Sequence, residues 1–575
     1  MRQPNYDKAP STKVSGAIIQ GWECILDQLG KVLGSSRVWA VDLYPGTIEE
    51  EIVQAFRRVG RKVVLTRDLM KSEKEILEMT RRFMTNDILF GYISNVRLEE
   101  YFDPDKVKAL RGCRQQEPLI IIGTGAASVA PDDAPVIYAD MARWEIQQRF
   151  RRHQVRALGV DNHEEAPSLQ YKRGFFNDWN ICDRHKFRLV TSDRIVYWID
   201  TNKVGQPKMI NRDTFMSGIR KTAHKPFRPV PFFDPAPWGG QWMKRVCGLD
   251  KDVVNFGWCF DCVPEENSLY FDVEGTRFEL PCQDLVMFET RDLLGEAVES
   301  RFGRSFPIRF DFLDTVGGGN LSLQVHPTTE FVHENFGIHY TQDESYYLLD
   351  AEPGATVYLG LKQGIDPKAM IGDLLTAQNG GEPFDAEEYV NRWPAKKHDH
   401  FLIPGGTVHC SGAGALVLEI SSTPNLFTFK LWDWQRLGLD GKPRPINIER
   451  GRQVIDFSRD TDYARRYLIN QIRPVARGDG WKEERTGLHP NEFIETRRHW
   501  FTSPVVHHTG GGVNVLNLVE GDEAIVESPS ATFEPFEVHY AETFVIPACV
   551  DEYVIRPCGM SKGKQCGTIK AYVRT

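Results

Sequence analysis

The stretch "NLSLQVHPTTEFVHENFGIHYTQDESYYLLD", Asn320 to Asp350, sets nitrogen and carboxylate donors among alternating apolar residues. Gln324 and His326 stand two apart in "LSLQVH", and a strand points residues i and i+2 to one face. Leu321, Leu323 and Val325 take the other face. Pro327 ends the strand because it has no N–H for a ladder. Glu344 opens the next strand in "DESYYLLD", and His409 follows the Pro-Gly-Gly turn of "DHFLIPGGTVHCSG". Two imidazoles, one carboxylate and one amide suit zinc or another first-row divalent ion, one per chain, with positions left for water or substrate. Nearby histidines read differently. His333 and His339 flank a loop or short helix, and His398 and His400 in "KKHDHF" read as surface or pocket rim. Cys259 and Cys262 in "WCFDC" have the spacing of a zinc pair, but no second pair follows, so apolar packing of the sulfurs is expected.

The elements that must hold these donors divide the chain of 575 residues into roughly three to four domains by length. Residues 1–228 alternate short apolar runs, such as "RVWAVDLY" and "PLIIIGTGAA", with helical patterns such as "TIEEEIVQAFRRVG". That alternation predicts an α/β domain with a parallel sheet. Ser72 and Glu75 form a predicted capping box for one helix. The proline-rich "HKPFRPVPFFDPAPWGG" marks a boundary. Residues 229–490 then read as short strands with helical insertions at 365–379 and 385–391, and residues 491–575 as strand and turn throughout. Such texture predicts sandwiches or barrels. "HFLIPGGTVHCSGAGALVLEI" is echoed by "TFVIPACVDEYVIRP" without the histidine, as in a duplicated barrel in which one copy keeps the chemistry.

Bulk properties exclude several classes. The net charge of -9 lacks the basic footprint of a broad nucleic-acid surface. No run approaches the ~18 apolar residues of a membrane helix, and "MRQPNYDKAPSTKVSG" has no apolar signal core. Eleven scattered cysteines fit reduced thiols in a cytoplasmic protein.

Four motifs carry a family resemblance. "LSLQVHP", "DESYYLLDAEPGATVYLGLK", "FLIPGGTVHCSG" and "FKLWDWQRLGLDGKPRPINI" resemble the class I mannose-6-phosphate isomerases, and "DPAPWGG" resembles their entry motif. The resemblance covers about 234–450, continues weakly to the end and leaves out residues 1–230. It implies a catalytic cupin (jelly-roll) barrel, a degenerate second cupin, and zinc-dependent interconversion of mannose 6-phosphate and fructose 6-phosphate through an enediol. It places the metal on Gln324, His326, Glu344 and His409, the four residues the spacing selects. It suggests Glu419 and Lys430 as catalytic groups, with Lys430, Lys362 and Gln342 toward the substrate and Asp433 paired structurally with Arg436. Two positions depart from the family: Gln342 stands where a lysine is usual, and Lys430 where an arginine is, and lysine does not replace arginine at a bidentate site. A different sugar or sugar phosphate, acted on by an isomerase or epimerase, is the alternative, and a non-catalytic carbohydrate sensor a third. Lys396 and Lys397 would be rim residues, and the glycines of "TVGGGN" a hairpin turn. The expected partner is a small sugar phosphate, with no nucleic acid and no membrane, and a homo-oligomer is allowed. In the N-terminal domain the order of elements is at most kinase-like: it resembles P-loop sugar or nucleoside kinases, yet no G-x-x-x-x-G-K-[ST] occurs, and "GTGAA" alone predicts no nucleotide site.

Overall fold

A computed structural model describes residues 4–112, 117–422, 426–441, 444–487 and 489–575. Lys442 and Pro443 of the last family motif lie outside them.

The N-terminal unit is built on a seven-stranded sheet. Five strands run parallel in the spatial order Lys62–Leu65, Leu119–Gly123, Val38–Leu43, Val136–Asp140 and Ile195–Asp200. Val38–Leu43 is buried at every residue, as a parallel strand covered on both faces must be. The sheet is mixed rather than purely parallel: Lys208–Asn211 and Ile18–Gln20 add antiparallel edges. The short link from Asp200 to Lys208 has no room for a crossover, so the chain returns antiparallel. Helix Glu73–Met84 starts at the expected capping box, with the Ser72 backbone N–H donating to Glu75 Oε2 at 2.9 Å. The "GTGAA" loop serves the core. Asp42, at the end of the central strand, accepts from the amides of Gly125 and Ala127 at 3.0 and 2.8 Å and faces His185 Nε2 at 2.9 Å.

Two facing sheets form the middle barrel. One orders His400–Ile403, Glu344–Ala351, Ala415–Ser422, Ile308–Asp314, Trp258–Cys262 and Phe232–Asp234. The other orders Val390–Pro394, Thr356–Leu361, His409–Ser411, Leu323–Val325 and Phe429–Trp432. Helices Pro367–Gln378 and Ala386–Tyr389 fill the expected insertions. Cys259 and Cys262 are buried free thiols whose pKa values burial pushes well up, so they pack as apolar groups.

A second pair of sheets, six- and four-stranded, makes the C-terminal unit. It begins earlier than residue 491, because strands Arg473–Gly478 and Trp481–Gly487 join its larger sheet beside Ile494–Phe501.

The units share apolar packing. Phe90 and Phe176 of the N-terminal unit are fully buried against Phe427 of the barrel, with ring centroids 5.8 and 6.2 Å away. Near the start of the chain, Thr12–Val14 pairs with Phe271–Val273, and the Asp7 backbone N–H donates to Glu542 Oε1 at 2.6 Å. Buried Arg228 ties Glu542 at 2.8 Å to Asp261 at 3.4 Å. No helix among the described residues is long and apolar enough to cross a membrane.

Candidate metal centre and active site

The middle barrel brings the four expected donors together. Gln324 lies directly across the strand pair from His409, and its amide nitrogen is 3.3 Å from His409 Nε2. Glu344, from the facing sheet, puts one carboxylate oxygen 3.1 Å from His326 Nε2 and the other 2.9 Å from His409 Nε2. All four residues are buried, none more than 7% exposed.

Local sequence explains the placement. Gly406 in the Pro-Gly-Gly turn adopts φ +91°, a region that favours glycine, and its amide donates to the His326 carbonyl at 2.8 Å. The neighbouring Gly405 amide donates to Asp343 at 2.8 Å. The turn thereby pins the ends of the strands that bear His326 and Glu344 and delivers His409 between them.

The histidine tautomers follow from their outer contacts. His326 Nδ1 faces the Phe427 carbonyl at 3.1 Å and His409 Nδ1 the Thr407 carbonyl at 2.9 Å. A carbonyl can only accept, so each Nδ1 carries hydrogen and each Nε2 is the nitrogen turned inward, as a lone pair in the neutral ring and as an N–H in the charged one. Facing an acceptor-only carboxylate, those nitrogens call for positive charge, from a cation bound between them or from the imidazoles themselves. Burial alone would raise the Glu344 pKa, yet His326 and His409 hold it well below the usual range. Burial likewise opposes charge on His326, but Glu344 outweighs it and draws that pKa up.

A row of polar groups continues from this cluster. Gln342 donates to Glu344 Oε2 at 3.0 Å and Glu419 Oε1 at 3.3 Å, bridging the two carboxylates. Asp311 lies across from Glu419, which lies across from Tyr346. Burial, then Asp311 and Glu344, push the Glu419 carboxyl well up. Burial raises Asp311 to about 7, although Arg309 opposes the rise. Neither Asp311 oxygen accepts a hydrogen bond among the described residues; Arg309 Nη2 stands 3.8 Å away, and Arg309 Nε is 3.8 Å from Glu265. Asp311, Arg309, Glu265 and Tyr346 were not anticipated. The alternation "IRFDFLD", charged residues between phenylalanines, was the available signal.

Lys430 lies across from Gln324. Burial, with Arg444 and Arg436 nearby, lowers its ammonium pKa to about 8. Asp433 holds Arg436 at 3.1 Å, Arg444 at 2.9 Å and the Ser322 hydroxyl at 2.8 Å, the structural pairing expected of it. Lys362 does not join the cluster: it is exposed and donates to the Glu387 carbonyl at the barrel's outer sheet. Lys397 and His398 bind Glu520 of the C-terminal unit at 2.5 and 3.2 Å, while His400 is fully buried rather than at a rim.

Comparison with known proteins divides the chain in two. Residues 21–224 match the profile of a domain of unknown function (DUF8485). A protein of Streptococcus mutans is 25% identical over 236 residues, 41% of this chain and 69% of its own length. One from Bacillus subtilis is 31% identical over 156 residues, 27% of this chain and 45% of its own length. Both are mannose-6-phosphate isomerases. The chain thus spans between about half and two thirds of the length of these isomerases. A mannose 6-phosphate isomerase structure from Bacillus subtilis is similar at a TM-score of 0.49 and 18% identity, covering 61% of this chain and all of that one.

Proposed function

We propose that the middle barrel is a metal-dependent aldose–ketose isomerase acting on a sugar phosphate, with mannose 6-phosphate and fructose 6-phosphate as the first pair to test. The observation that carries the reading is the inward convergence of His326 Nε2, His409 Nε2 and the Glu344 carboxylate, whose donor atoms all lie within 4.8 Å of one another. The activity of the relatives supplies the substrate class.

The residues fit a divalent cation. Among the described residues, His326 Nε2 and Glu344 Oε1 are buried with only each other's cluster to face, at 3.1 Å to Glu344 Oε2 and 2.9 Å to His409 Nε2. Of three buried carboxylates, Asp311 and Glu419 lie in the field of buried Arg309, and Glu344 faces the two histidines. Gln324, His326, Glu344 and His409 would hold the ion, and zinc suits two imidazoles with a carboxylate. When bound, it would supply Lewis-acid stabilisation of the oxyanion that develops at C1 or C2.

The chain's own groups divide the remaining work. Glu419, kept protonated more readily than an ordinary carboxyl, is the candidate to move a proton between C1 and C2. Asp311 beside it is raised to about 7, within reach of the same role. Lys430 supplies a cation toward the anionic intermediate. Gln342 orients both Glu344 and Glu419 with one amide, where a lysine would add charge. That neutral bridge favours the second reading, isomerisation or epimerisation of a different sugar phosphate.

The test is turnover of mannose 6-phosphate by zinc-loaded protein, read by coupled detection of fructose 6-phosphate. Absence of turnover there, with turnover of another sugar phosphate, selects the second reading. Absence of bound metal, with no effect of His326→Ala, removes both.

A further inference from the structure

The metal cluster is buried, and Phe90 and Phe176 of the N-terminal unit pack over the barrel next to Phe427, the residue whose carbonyl holds His326. A cleft of about 410 Å³ opens along the seam between these two units. Its volume falls in the range of small-molecule sites, ~300–1,000 Å³. One wall carries Asn180, Arg184 and Phe187 from helix Trp179–Thr191, and the other carries Glu265, Gln283 and Arg304.

Two chains of neighbouring residues connect the lining of the cleft with the candidate metal site. Glu265 lines the cleft and stands 3.8 Å from Arg309, which is 3.8 Å from Asp311, the neighbour of Glu419. Tyr340 also lines it and lies two residues before Gln342.

Charge sets the ligand's chemistry. Asp183 is already bound by Arg143, and Glu265 faces Arg309. Arg184 donates to the backbone carbonyls of Ser94 and Val96, with no carboxylate at ion-pair distance among the described residues. The Arg304 guanidinium lies 3.3 Å from the Phe187 ring centroid, likewise with no such carboxylate. Arg184 and Phe187 are three apart on one helix, hence neighbours on its surface. Two guanidinium groups, one from each unit, therefore line the cleft near Phe187 with no carboxylate at ion-pair distance among the described residues. Aromatic and planar polar side chains beside them suit a polyhydroxylated body.

We propose that this seam cleft binds the phosphomonoester end of the sugar substrate between Arg184 and Arg304, so that the N-terminal unit completes the substrate site. The inference rests on the isomerase reading for the sugar, and on the cleft alone for the phosphate.

The test uses full-length, zinc-loaded protein with Arg184→Gln, Arg304→Gln and the double variant. Both side chains are exposed, so the fold is retained. Each single variant is expected to raise KM for mannose 6-phosphate, or for whichever sugar phosphate turns over, by about tenfold or more, the scale of a lost charge-assisted hydrogen bond. Zinc content is unchanged and kcat shifts much less. Inorganic phosphate inhibits the wild type competitively, and its inhibition constant rises in parallel. Unaltered KM and inhibition constants in the double variant overturn the proposal. If no sugar phosphate turns over, the isomerase reading fails by itself. Calorimetric titration with inorganic phosphate then decides the cleft: saturable binding lost in the double variant upholds it, and no binding to the wild type, or equal binding to both, overturns it.

Discussion

Asp311 lies directly across from Glu419 on neighbouring antiparallel strands, both fully inside the barrel. Two carboxyls so placed, far from water, resist simultaneous ionisation, and each drives the other toward its protonated form. The pair is accordingly a proton store beside the metal cluster, with Gln342 linking it to Glu344.

If Glu419 moves the proton, Glu419→Gln lowers kcat by roughly 10²- to 10⁴-fold, the usual worth of a positioned acid–base group. Metal content stays at one per chain, because Gln324, Glu344 and both histidines remain. Asp311→Asn lowers kcat less. Steady-state kinetics with elemental analysis checks both outcomes, and metal loss in Glu419→Gln would assign it a structural role instead.

Metal removal would leave Glu344 and the two histidines converged without the cation they would share. Dialysis against a chelator is expected to lower the melting temperature, and zinc in excess to restore it. Ligand at ~100 times its dissociation constant stabilises by about 2.7 kcal/mol. His326→Ala and His409→Ala should bind less than one zinc per chain and lose the chelator response. Calorimetric melts with and without zinc measure this.

Acid should destabilise the protein through His400. Burial first, then Arg498, push its pKa from 6.5 to about 3. The folded state therefore stays neutral while the unfolded chain takes up a proton below pH 6.5. The stabilisation is complete above 6.5 and is lost as pH falls toward 3, by about 1.4 kcal/mol per pH unit. Between pH 6.5 and 5 the wild type should lose about 2 kcal/mol more than His400→Gln. Urea unfolding at the two pH values tests the difference.

Arg228 joins the units through buried Glu542 and Asp261. Arg228→Met strands two buried carboxylates and should cost about 3–5 kcal/mol. Adding Glu542→Gln to Arg228→Met should recover part of that loss. Denaturant midpoints of the single and double variants decide it.

The candidate metal donors are legible because a two-residue period in a strand and a Pro-Gly-Gly turn are local signals. Gln324, His326, Glu344 and His409 all sit next to such punctuation, and the resemblance named the same four. Asp311 and Arg309 were hidden because "RFDF" alternates like a half-exposed strand. Only the register against Ser421 and Glu419 turns their charged face into the barrel. Lys362 failed in the opposite sense: a lysine at the end of a motif strand faces outward to Glu387. The early start of the C-terminal unit escaped notice because Arg473–Gly478 is exposed at every residue, a charged edge strand that reads as turn. The Phe90–Phe427 contact joins positions over three hundred residues apart, and no local pattern encodes it.

The link from the Asp7 amide to Glu542 spans 535 residues of sequence. At the same junction Arg228 and Asp261 complete their contacts once the strand near Thr543 is present, since Arg228 also binds Glu542 and the Thr543 amide binds Asp261 at 2.7 Å. During synthesis at ~5–20 residues per second, the buried arginine and carboxylates near the front of the chain wait tens of seconds for their partner. The N-terminal unit emerges first with its seam to the barrel unpaired, and its phenylalanines at 90 and 176 stay uncovered until the barrel forms. The order of synthesis therefore exposes apolar and charged surface of the N-terminal unit before the segments that cover it exist.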